Sequence, residues 1–138
     1  MPTVRPLGDA ELSPRAAAVF ADIRATRGSD FVNNFWRSLA ALDDAMLERV
    51  WGQLKSVMTV PGALDPLTRE MIYIAVSVAN GCSYCVHSHT AAARAKGMGA
   101  EMEAELLAII ALASQTNALA TAMAVPVDSE FEAASSEP

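Results

Sequence analysis

Basic residues stop early in this chain. All ten lysines and arginines lie at or before Lys96, against sixteen aspartates and glutamates in 138 residues, and the formal net charge is −6. With no basic patch, the chain lacks the electrostatic footprint of a nucleic-acid binder. Aromatic residues are also few, 6% of the total. The opening Met1-Pro2-Thr3-Val4-Arg5-Pro6 has no apolar stretch of the secretory kind, so residence in the cytoplasm is expected. Only two cysteines and two histidines occur, and all four fall within eight residues, Cys82-Ser83-Tyr84-Cys85-Val86-His87-Ser88-His89. In a reducing cytoplasm a lone C-x-x-C favours redox work or metal binding over a structural staple.

What is present is apolar and helical. The 52% apolar content exceeds the usual share for a soluble domain, which points to surface buried against copies of the same chain. The length argues for a single domain over residues 1–125, followed by an acidic, mobile tail over 126–138 that has little to bury. Ser13-Pro14 reads as a cap and first helical residue, and Gly28 as the stop. Further helices are expected over 31–42, 44–60, from Asp65-Pro66 to Asn80-Gly81, from about Cys82 or Ser83 to Lys96, over 101–112 and over 117–123. No strand is convincing. Residues 71–93 and 106–127 carry no Asp, Glu, Lys or Arg, yet each contains a polar interruption, Asn80 to Ser83 in one and Ser114 to Asn117 in the other. Each therefore reads as helix, break, helix rather than as a membrane span. The helix after Asp65 is apolar around its whole circumference, as a central helix would be. The fold class expected is all-α, a compact helical bundle whose central antiparallel helix pair carries the C-x-x-C motif.

Geometry then sorts the motif. At about 100° per residue, Cys82, Cys85 and His89 fall within roughly 60° of one another, while His87 points to nearly the opposite side. If the chain turns back at Gly81, Glu70 and His89 differ by only about 4.5 Å along the helix axes, so the carboxylate can reach the His89 face directly or through water. Both thiols lie in the first turn of their helix, where unpaired N–H groups and the dipole favour an anion and a Cys pKa of about 8.5 commonly falls. Cys82 is nearer the helix end and more accessible to an incoming thiol; Cys85, four residues before His89, is better placed for proton transfer.

The pattern Glu70, then Cys82-Ser83-Tyr84-Cys85 twelve positions on, then His89, resembles the alkylhydroperoxidase-D-like proteins of the carboxymuconolactone decarboxylase superfamily. The likeness covers the central region from roughly Asn34 to Leu112. It implies an all-helical fold that assembles into trimers, dimers or hexamers, needs no cofactor and reduces hydroperoxides at the expense of an external dithiol. By that resemblance Cys85 attacks the peroxide and becomes a sulfenic acid, Cys82 supplies a proton and forms the disulfide, and His89 with Glu70 relays protons. Tyr84 stands where some members carry a histidine, which leaves the reductant open. Members that decarboxylate lactones generally lack the cysteine pair.

Competing readings are bounded by the same residues. The cysteines could be buried as small apolar groups. Zinc finds ligand chemistry in Cys82, Cys85, His87 and His89, but four ligands on one helix cannot close a tetrahedron when His87 faces away. A non-enzymatic redox sensor or scaffold with the same thiols, and a lactone decarboxylase, remain the alternative functions.

Overall fold

Proline at a first helical position, with Ser or Asp before it, opens two of the helices. Ser13 Oγ accepts the Ala16 N–H at 3.0 Å ahead of Pro14, and Asp65 Oδ1 accepts the Thr68 N–H at 2.9 Å ahead of Pro66, each satisfying an orphan donor of the first turn. The structure, a computed structural model, describes residues 1–133. Those residues form a short 3-10 turn, Asp9–Glu11, and the helices α1 Pro14–Arg27, α2 Asn34–Leu42, α3 Asp44–Met58, α4 Pro66–Ala79, α5 Ser83–Ala95, α6 Ala100–Ala122 and α7 Ser129–Ala133. No strand occurs among them, and the all-α class stands.

The chain divides into two compact units, Met1–Ala63 and the part from Leu64 onward. In the first, α1 contributes Ala16, Val19, Phe20 and Ile23 to a core completed by Val32, Trp36 and Leu39 around α2 and by Leu47 and Trp51 on α3. Trp36 and Trp51 meet edge to face with ring centroids 5.4 Å apart, an arrangement that suits the aromatic quadrupole. The helix expected from residue 31 begins at Asn34 instead, leaving Phe31 exposed.

In the second unit, α4 ends at Asn80, and Gly81 takes the left-handed conformation (φ 69°) that lets the chain reverse within two residues. The Cys82 N–H donates to the Ser77 carbonyl at 2.9 Å across this turn. Contacts pair residue 77 with 82, 73 with 89, and 70 with 89 and 96, so α4 and α5 run antiparallel. Ile74, Ala93 and Met98 form the buried core here, packed by Leu67, Met71, Leu106 and Ile110.

Two expectations need correction. α4 is not buried on all sides: Glu70, Ile74 and Ser77 are buried, whereas Ile72, Val76 and Val78 are exposed. Its apolar circumference says which side chains avoid water, not that this same chain covers them. The break expected at Ser114 to Asn117 is absent, and α6 runs unbroken for 23 residues. Ser114 Oγ–H donates to the Ile110 carbonyl at 2.9 Å and Thr116 Oγ1–H to that of Ala113 at 3.2 Å, so the polar side chains are satisfied by the helix itself. By length and composition α6 is the one helix among the described residues long and apolar enough to cross a membrane, and none of its residues is buried. The tail expected to be mobile lies, over residues 134–138, outside the described residues; its earlier part includes α7.

Candidate active site

Cys82 caps α5. Its Sγ accepts the Cys85 N–H at 3.3 Å, a weak donor–acceptor pair that nevertheless places sulfur where the first-turn amides point. Cys85 lies one turn in, and both thiols are free and half-buried. The two thiols shift one another in opposite directions. The Cys85 thiol donates to Cys82, and this hydrogen bond, with the backbone N–H, holds the Cys82 thiol below its ordinary value. The same hydrogen bond, burial and the Cys82 charge push Cys85 up to about 11. The lowering expected for both thiols is therefore found only at Cys82, where the hydrogen bond from Cys85 is the larger cause and the first-turn N–H the smaller, and it fails at Cys85, whose proton is held first by that same hydrogen bond and then by burial.

The α4 helix adds a buried carboxylate. Glu70, on α4, is 6% exposed and its two oxygens are separately engaged: Oε2 lies 2.7 Å from His89 Nδ1, and Oε1 accepts from Lys96 Nζ at 2.9 Å. Burial pushes the Glu70 carboxyl up, but the hydrogen bonds from His89 and Lys96, together with the Lys96 charge, outweigh it and hold the group below the ordinary glutamate range. In the neutral ring, a carboxylate at Nδ1 assigns the proton to that nitrogen and leaves Nε2 as the acceptor. Tyr73, one turn along α4 from Glu70, stacks on the imidazole with ring centroids 3.7 Å apart and planes 21° from parallel. Burial raises the Tyr73 phenol, and negative charge on Cys85, Glu70 and Cys82 adds to the effect, so phenol and thiols share one neighbourhood.

Of the residues singled out from sequence, Glu70 and His89 are in direct contact, and Cys82 and Cys85 are in direct contact. His87 is exposed, and its Nδ1 lies 2.8 Å from the Ser83 carbonyl, away from the Glu70–His89 pair. Tyr84 is exposed beside the thiols. No cluster of three or more His, Cys, Asp or Glu side chains among the described residues has the geometry to hold a metal ion.

Residues 32–128 match the carboxymuconolactone decarboxylase family, and this span is most of the chain. The chain belongs to that family. A crystal structure of the alkylhydroperoxidase AhpD core from Rhodospirillum rubrum superposes with a TM-score of 0.92, is 69% identical in sequence, and is covered over 97% of its length by 95% of this chain. A protein of Paracoccus denitrificans described as uncharacterized protein 4 in the cox locus is 34% identical over 74 residues, 54% of this chain and 62% of its own length. The chain thus spans less than two thirds of that relative.

Sequence reasoning missed two members of the site in this family member, Lys96 and Tyr73. Lys96 is two helical turns beyond His89 on α5 and Tyr73 one turn beyond Glu70 on α4, so helical spacing alone places each on the same face as its neighbour. That spacing is outweighed by blander roles, the helix end for Lys96 and one more side chain of the apolar circumference of α4 for Tyr73.

Proposed function

We propose that this protein is a cytoplasmic thiol peroxidase that reduces organic hydroperoxides through a Cys82–Cys85 disulfide cycle, with Glu70 and His89 as its proton relay. The observation that carries the reading is the 2.7 Å Glu70–His89 contact on the same helix pair whose turn presents two free thiols at a helix N-terminus. The likeness to an alkylhydroperoxidase core at 69% identity supports it.

In the cycle the Cys85 thiol loses its proton to His89 Nε2, and the thiolate attacks the terminal peroxide oxygen. The O–O bond breaks, the alkoxide takes from His89 Nε2 the proton that Cys85 gave up and leaves as alcohol, and Cys85 becomes a sulfenic acid. Cys82 attacks that sulfur, the S–O bond breaks with release of water, and the disulfide forms. An external dithiol then reduces it by exchange, becoming a disulfide itself. A Cys85 thiol pushed up to about 11 gives the base its work, since little Cys85 thiolate stands ready at neutral pH without a proton acceptor. Cys82, already the more acidic sulfur, is suited to be both resolving thiol and first contact of the reductant.

Copies of the chain pair through α6. This helix buries none of its residues and exposes Leu107, Ile109, Leu112 and Leu119. Ser114, Gln115, Thr116 and Asn117 would sit mid-bilayer if α6 spanned a membrane, an expensive placement that favours a protein partner.

The test is repeated consumption of tert-butyl hydroperoxide with a supplied dithiol. Cys85→Ser abolishes it. Cys82→Ser permits one oxidation and leaves a sulfenic acid on Cys85 that a dimedone-type reagent labels, read by mass spectrometry. A label that follows Cys82 instead reverses the roles; single oxidation of the unaltered protein without turnover identifies a sensor. Lactone decarboxylation with both thiols alkylated would replace the peroxidase reading altogether.

A further inference from the structure

Glu70 is held from two sides, and only one of its partners belongs to the relay. His89 occupies Oε2; Lys96, at the C-cap of α5, occupies Oε1 at 2.9 Å. The Lys96 side chain is 38% exposed against 8% for Glu70, so the stem runs inward from solvent to place an ammonium on a buried oxygen. Other basic side chains of this unit are directed elsewhere: Arg94 is held by Glu103 of α6 at 2.7 and 2.9 Å, and Arg69 Nε donates to the Leu64 carbonyl.

We propose that Lys96 is a positioning residue that keeps His89 in its proton-accepting form by neutralising the carboxylate that would otherwise stabilise an imidazolium. The proposal rests on the peroxidase reading for the reaction it serves, though not for the electrostatics. A buried carboxylate facing a histidine alone stabilises the ring's cation, and a protonated His89 cannot take a proton from Cys85. With Lys96 on the second oxygen, the Glu70–Lys96 pair is neutral and a proton on His89 would add a net charge to a half-buried site. The other group facing the ring is Tyr73, stacked on it from α4 and itself within electrostatic reach of the two thiols; Glu103, the α6 carboxylate that meets α5, is bound to Arg94. None of these supplies a second cation.

The experiment uses the full reduced chain and compares Lys96→Met and Lys96→Arg with the unaltered protein. Two profiles are taken against pH: the rate of Cys85 oxidation by tert-butyl hydroperoxide, and the NMR titration of the His89 imidazole, which needs no peroxide. Lys96→Met is expected to move the acid limb of the rate and the His89 titration together to higher pH by about one unit, a tenfold loss of rate below the midpoint, while Lys96→Arg restores both. Coincident titrations of Lys96→Met and unaltered protein overturn the proposal, as does a shift that Lys96→Arg fails to restore. Lys96→Gln repeats the comparison should methionine disturb the helix end. If the unaltered protein oxidises no peroxide, the peroxidase reading falls while the His89 titration still decides the role of Lys96.

Discussion

The two compact units solve opposite problems. The first, Met1–Ala63, packs nine buried apolar residues, two of them tryptophans in edge-to-face contact, and its polar contacts, such as those of Asp22 with Trp51 and Lys55, lie around that core and bury no carboxylate. The second buries three apolar residues, and set among them on α4 is a carboxylate 6% exposed. One unit is held by hydrocarbon and carries no candidate chemistry. The other gives up part of its apolar interior to an ionised network and leaves its longest helix uncovered. A reactive thiol needs a route to solvent and a base held in low dielectric, and both requirements work against a large dry core.

The sharpest way to break this contrast is to alter the relay and watch rate and stability separately. His89→Ala is expected to slow peroxide attack by about 10²–10⁴-fold, the usual contribution of general acid–base assistance, while still allowing a strong oxidant to close the disulfide. Stopped-flow oxidation of the reduced protein reads the rate, and diamide-driven disulfide formation reads the pair's integrity. A variant that lost both would mean that the ring holds the helix pair together rather than moving protons.

The converse substitution belongs to the first unit. Phe20 is fully buried among Ala16, Val19, Trp36 and Leu47, and Phe20→Ala leaves a cavity costing about 3–5 kcal/mol. Urea denaturation should show that loss, with thiol oxidation of the still-folded fraction unchanged. A rate that fell in step with stability would show that the thiol chemistry is not confined to the second unit.

How far this contrast could be read in advance depends on the kind of signal. Helix starts at Ser13-Pro14 and Asp65-Pro66 and the reversal at Gly81 were legible because caps and left-handed glycines are local chemistry, complete within a few residues. The Glu70–His89 contact was legible because an antiparallel pair with a short turn leaves one free parameter, axial register. The unbroken α6 was not, since Ser114 and Thr116 are helix-weakening types whose back-bonding depends on rotamers. Lys96 was hidden for a related reason. A long flexible side chain at a helix end reaches solvent or a buried anion equally well, and only packing decides. The exposed sides of α4 and α6 show the same limit, because periodicity reports which residues avoid water and not which chain provides the cover.

That last point gives a smaller, assembly-level test. Leu112→Glu on α6 places a charge on an exposed apolar face and removes nothing from the second unit's core of Ile74, Ala93 and Met98. Light scattering is expected to show unaltered protein at a multiple of the 14.6 kDa chain mass and the variant at a lower multiple. A monomer in both cases would leave α6 without a partner of its own kind.

The smallest expected effect concerns acid, and its sign follows from Glu70. Because the native carboxyl is held below the ordinary glutamate range, the unfolded chain binds a proton at this position more readily than the folded one. Stability from the network is therefore complete above the ordinary glutamate value and is lost as pH falls through the lowered native value. The cause predicts which substitutions flatten the curve. Glu70→Gln keeps the shape, cannot ionise, and should remove this component of the acid loss, while Phe20→Ala should lower stability at every pH without changing the slope. Urea midpoints measured from neutral pH down into the carboxylate range distinguish the two patterns. If Glu70→Gln kept the full acid dependence of the unaltered protein, the loss would belong to the surface carboxylates of the first unit, such as Glu11, which its Arg5 partner holds at about 2. The division between a hydrocarbon-held unit and a charge-held one would then fail at its central residue.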